Sequence, residues 1–149
     1  MGVSPQFCIN GAINSVLVGA AALTTSDGSG GTIGTNIFLA FTAAAVTGSY
    51  VEAVRIVAVA SVAATATAAT VVRIYISTQT SGATSTANTW CIGEIAMPAI
   101  TADQTTVATN WQDFPIGFRL PAGYTILVSS HIINNANTAL RATVFGGDY

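Results

Sequence analysis

Short apolar stretches of alternating parity, each closed by Gly, Ser, Thr or Asn, recur along the whole chain, and none sustains a helical period. The pattern predicts strands over residues 7–13, 15–22, 36–43, 50–62, 70–77, 90–97, 114–120, 124–133 and 140–145, after an extended arm at 1–6. Over 70–77, Val72, Ile74 and Ile76 point one way and Arg73, Tyr75 and Ser77 the other. Over 124–133, Tyr124, Ile126, Val128 and Ile132 oppose Thr125, Leu127, Ser129 and His131. Leu140, Ala142 and Val144 oppose Arg141, Thr143 and Phe145, and Ile116, Phe118 and Leu120 oppose Arg119. One apolar row per strand predicts sheets with one face in a core. Segments 36–43 and 50–62 are apolar on both faces, which places them centrally in a sheet or beneath a neighbouring subunit.

Eight or nine such strands in 149 residues predict an all-β fold: a single-domain (1–149), jelly-roll-like β-sandwich of about eight antiparallel strands. The Ala/Thr-rich stretch 63–70 is too short and too rich in Thr for a stable helix and reads as a loop. Asp27-Gly28-Ser29-Gly30-Gly31 reads as a flexible glycine loop. Leu120-Pro121-Ala122-Gly123 fits a type I turn, with Pro second and Gly fourth. Asn134-Asn135-Ala136-Asn137 suits a hairpin, because Asn tolerates left-handed backbone angles.

Charge changes the picture. Only 7% of residues are charged, against about 25% in an ordinary domain, and the four cations are all arginine: Arg55, Arg73, Arg119 and Arg141. The faces turned away from the predicted core therefore carry single arginines among Thr, Tyr, Leu and Phe. A surface that poor in charge is expected to be covered by other subunits. This marks Arg73, Tyr75, Arg119, His131, Arg141 and Phe145 as interface candidates, with Pro5 and Phe7 on an arm reaching a neighbour. Arg tolerates such partial burial better than Lys. No basic cluster exists to neutralise phosphates, so no nucleic-acid partner is expected. The apolar run 56–72 falls short of a spanning helix, and no secretory signal opens the chain. A membrane barrel fits poorly too, because Arg141, Thr143 and Gly147 share a row with Phe145 and Tyr149.

Candidate chemistry is sparse. His131 is the only histidine, and no nucleophile motif accompanies it. Asp103 and Asp113 could pair across a sugar-sized cleft, but both sit in a Thr-rich linker where Asp ordinarily caps turns. Residues 28–34 match no phosphate-binding glycine motif, and no calcium loop or metal-type spacing occurs. No enzyme activity, cofactor or metal is expected. Cys8 and Cys91 read first as reduced, buried thiols, with a disulfide between them as the alternative. Trp90 and Trp111 read first as core or interface residues. Trp111, in polar Thr109-Asn110-Trp111-Gln112-Asp113, is the one candidate for stacking against a sugar.

Four runs carry a resemblance. They are Val71-Val72-Arg73-Ile74-Tyr75-Ile76-Ser77; Gly93-Glu94-Ile95-Ala96-Met97-Pro98-Ala99; Leu120-Pro121-Ala122-Gly123-Tyr124-Thr125-Ile126-Leu127-Val128-Ser129; and Val144-Phe145-Gly146-Gly147-Asp148-Tyr149. They resemble small β-sandwich virion proteins of tailed bacteriophages, most of all head decoration (cement) proteins. The resemblance implies a homotrimer on the outer capsid surface, bridging capsomers, with the major capsid protein as partner. It also implies synthesis in the host cytoplasm and no catalytic residues. The alternative is a receptor- or carbohydrate-binding sandwich of a phage tail or fibre, with Trp111 as its glycan contact.

Overall fold

The computed structural model describes residues 10–61, 65–102, 111–135 and 137–148. Ten strands form there: β1 (Asn10–Val18), β2 (Ile37–Thr42), β3 (Ser49–Ala60), β4 (Thr65–Ala66), β5 (Thr70–Ser77), β6 (Thr89–Met97), β7 (Thr101–Ala102), β8 (Trp111–Leu120), β9 (Thr125–Ser130) and β10 (Thr138–Asp148). No helix is long and apolar enough to cross a membrane among the described residues.

Two four-stranded antiparallel sheets, β1-β10-β3-β8 and β2-β9-β5-β6, face each other, and β4 pairs with β7 at one end. The pairing is nested. β1 joins β10, β2 joins β9, β3 joins β8, β4 joins β7 and β5 joins β6. The chain is thus one long antiparallel double ribbon, closed at the β5–β6 hairpin and rolled so that successive lengths fall in opposite sheets. The predicted β-sandwich is what forms.

The alternation explains the core. Val54, Ile56 and Ala58 of β3, Leu140, Ala142 and Val144 of β10, and Val18 of β1 face Val72 and Ile74 of β5, Ile126 and Val128 of β9, and Phe38 and Ala40 of β2. At about 25 cal/mol per Å² of apolar area, burial of these rows is the main stabilising term. In β3 the parity breaks at Glu52, where the register against β10 shifts between Phe145 and Gly146. The extra residue lets Val51 and Val54 both point inward and pushes Glu52 out to solvent.

Several expectations are corrected. The break predicted between 7–13 and 15–22 is not found: β1 runs unbroken from Asn10 to Val18, paired throughout with β10, and residues 7–9 lie outside the described residues. Residues 36–43 lie at a sheet edge, as β2, rather than at a centre. The glycine loop is held by hydrogen bonds: Ser29 N and Oγ both reach Asp27 Oδ1, and Thr84 N donates to Gly31 O. The Pro-Ala-Gly turn is shifted by one residue. Tyr124 N donates to Pro121 O, so Gly123, at φ +75°, occupies the third position, which type II geometry reserves for glycine. Asn137 does adopt a left-handed conformation (φ +66°), but it links β9 to β10 across the two sheets, so the connection is a corner and not a hairpin.

Candidate functional site

The outer faces of the two sheets have opposite fates. Residues 19–36 cross the second sheet as a strap. Leu23 of the strap packs with Ile37, Tyr75 and Leu127, and Ile33 closes against them. Leu23 N donates to Ser130 O at 2.9 Å. Arg73 fastens the strap from below. Its Nη1 donates to Leu23 O at 3.2 Å and Thr25 O at 3.5 Å, while its Nε pairs with Glu94 Oε1 at 2.6 Å. Tyr75 is 0% exposed; its hydroxyl meets Ser129 Oγ at 3.2 Å, and burial pushes its pKa up.

Arg73, at 8% exposure, and Tyr75 therefore have no surface to give a partner. The interface expectation for these two residues is corrected: the chain's own strap covers them. His131 lies at the rim, half-buried, just beyond β9. Its Nδ1 stands 3.4 Å from Arg73 Nη1 and accepts, because a guanidinium only donates. Cys91, expected buried, is exposed on edge strand β6; Cys8, Pro5, Phe7 and Asp103 lie outside the described residues.

The outer face of the first sheet stays open. By register, Leu17, Arg141, Val57 and Trp111 lie in one row across it, Ser15, Thr143, Arg55 and Asp113 in the next, and Ile13, Phe145, Ala53 and Pro115 in a third. Ile13 is 72% exposed, Leu17 47% and Trp111 51%. Arg119, beside Tyr50, donates through Nη2 to Thr47 O, and Arg141 Nη1 donates to Ser15 Oγ at 3.1 Å. Four of the candidates read from the sequence, Trp111, Arg119, Arg141 and Phe145, thus share one surface.

Its centre is a residue the sequence reading did not single out. Arg55 grips Asp113 with two parallel bonds, Nε to Oδ1 at 2.7 Å and Nη2 to Oδ2 at 2.8 Å. The same guanidinium lies 5.7 Å from the Trp111 ring centre and 5.6 Å from that of Phe145, within cation–π range. The hydrogen bonds from Arg55 hold the Asp113 pKa below the ordinary carboxylate value, and Asp113 raises that of Arg55. Glu52, Ala53, Arg55, Asp113 and Phe145 line a shallow cleft of about 270 Å³. Asp113, already ionised and paired, is unsuited to donate a proton as a glycosidase acid must. The available signal was parity: Arg55 alternates with Val54 and Ile56, but a segment read as apolar on both faces hid it.

No protein-family model matches the sequence, and no curated protein matches it. Two solved structures, of infectious bursal disease virus strains Gt and Gx, align over 99% of this chain at 10% identity, with TM-scores of 0.33 and 0.31. The chain spans about a third of their chains, 35% and 36%.

Proposed function

We propose that this chain is a non-enzymatic structural protein of a virion, a decoration or cement protein that binds the outside of a phage capsid as a homotrimer. The nested ribbon supports reading the sandwich as a jelly roll, the architecture of many capsid and lectin domains.

The observation that carries the assembly reading is the β1 margin of the first sheet. β1 is an edge strand, and it presents the two exposed apolar side chains Ile13 and Leu17 next to Arg141, with no charged residue of its own. An edge of that kind is a template for another chain, and proteins that stay monomeric blunt it with lysine or proline. The occupant of this margin is a second copy of the chain, and a head-to-tail contact between unlike surfaces closes into a ring when three copies complete the turn. Pro5 and Phe7, which lead into β1, add to the same contact, and the major capsid protein lies beneath the ring.

Sedimentation and particle binding test this reading. The wild-type chain sediments as a trimer at micromolar concentration and co-purifies with heads in fixed ratio to the capsid protein. Ile13→Asp with Leu17→Asp yields a folded monomer that no longer binds. A wild-type chain that stays monomeric, or a double variant that assembles unchanged, overturns it.

A further inference from the structure

We propose that the cleft between β3, β8 and β10 binds one ring of a neutral glycan, with Arg55, Asp113 and Glu52 as its hydrogen-bonding groups and Phe145 as its apolar wall. This site does not depend on docking at the β1 margin: none of its lining residues lies on β1, although Phe145 stands opposite Ile13.

The chemistry of the lining selects the ligand. Asp113 uses Arg55 Nε and one hydrogen of Nη2, so the guanidinium keeps donors for a ligand and each carboxylate oxygen keeps a lone pair. Donors and acceptors fixed side by side match vicinal hydroxyls, each of which both gives and takes a hydrogen bond. Arg55 is neutralised by Asp113, and the remaining charge in the cleft is the carboxylate of Glu52. A sialic acid, phosphate or other anion would face two carboxylates and a cation already paired. A neutral sugar meets no such repulsion. Its C–H face needs an apolar partner, and the ring of Phe145, which lines the cleft, supplies one. The cleft volume of about 270 Å³ lies just under the roughly 300 Å³ at which enclosed small-molecule pockets begin. That suits a single ring held at the surface of a longer chain.

The pair is also arranged in advance. Arg55 is held from two sides by the rings of Trp111 and Phe145 and gripped by Asp113, so little side-chain freedom is left to lose on binding.

The test is a glycan array carrying neutral and sialylated glycans, followed by titration of the full-length chain with methyl hexopyranosides. Binding to neutral glycans is expected, reduced at least about tenfold in Phe145→Ala and in Arg55→Lys, which keeps the charge but loses the two-pronged grip. Ala53→Trp fills the cleft floor and abolishes binding while far-ultraviolet dichroism and particle association remain as in wild type. No binding to any glycan, binding restricted to sialylated glycans, or binding indifferent to Ala53→Trp each overturns the proposal. Loss of particle association in Ala53→Trp also overturns it, because a protein then occupies this face. Assembly that fails while glycan binding persists leaves the site standing and removes the trimer.

Discussion

Arg73 Nε stands 2.6 Å from Glu94 Oε1 between β5 and β6, with the arginine side chain 9% exposed and the glutamate 50% exposed. The two ends of this pair therefore do different work. The arginine also satisfies the strap carbonyls of Leu23 and Thr25, whereas the glutamate is solvated on its far side. Arg73→Met is expected to lower unfolding free energy by about 2–3 kcal/mol, because it strips donors from buried acceptors. Glu94→Gln costs under about 1 kcal/mol, as befits a half-exposed partner. Urea denaturation of both variants checks the ordering; equal losses would show that the ion pair, and not the strap, depends on Arg73.

Gly93 marks where the sandwich closes between the edge strands β6 and β8. A Cβ there would stand 2.1 Å from Phe114 Cζ and 2.2 Å from Cε2, in a backbone with no left-handed strain. Gly93→Ala must therefore displace the ring, at about 1–3 kcal/mol. Phe114→Leu in the same chain relieves the clash, so the two substitutions together cost less than their sum in a thermal double-mutant cycle.

Among the described residues Thr84 Oγ1 is buried without a hydrogen-bond partner, close against Gly31 of the strap. Replacing that hydroxyl with a methyl group of the same shape removes an unsatisfied polar atom. Thr84→Val should be neutral or raise stability by up to about 1 kcal/mol. A clear fall in melting temperature would mean that the hydroxyl has a partner in solution.

Asp113 has a folded-state pKa below its ordinary value because Arg55 hydrogen-bonds the charged form. The sign follows: its contribution to stability is complete above the unfolded carboxylate pKa and disappears as pH falls through the lowered folded value. Side-chain exposure of 43% means solvent screens the pair, so the effect stays within about 1 kcal/mol and shrinks with salt. Carbon-detected titration of the Asp113 carboxyl should give a midpoint below 3.8 that rises in Arg55→Met.

Strand positions were legible because alternation is local. Val72 and Ile74, Ile126 and Val128, and Leu140, Ala142 and Val144 all face the core as their spacing requires. The site was legible only in pieces. Trp111, Arg141 and Phe145 stood out singly, but Arg55 and Asp113 lie 58 residues apart and meet through the β3–β8 register. No local pattern encodes that register. The turn at Pro121 was misread by one residue for a related reason: its sequence fits two frames, and the sheets on either side choose between them.

The chain's shortage of charge announced covered surface, and the tertiary structure decided what covers it. Over Tyr75 and Arg73 the cover is the chain's own residues 19–36, which hold just two large apolar side chains, Leu23 and Ile33, and so carry no sign of a packed element. Period-two alternation states which side chains share a face, since it follows from the pleat of a single strand. Which of two such faces is then closed depends on contacts between distant segments, here the strap on the second sheet, while the face of Arg55, Trp111 and Phe145 is left open.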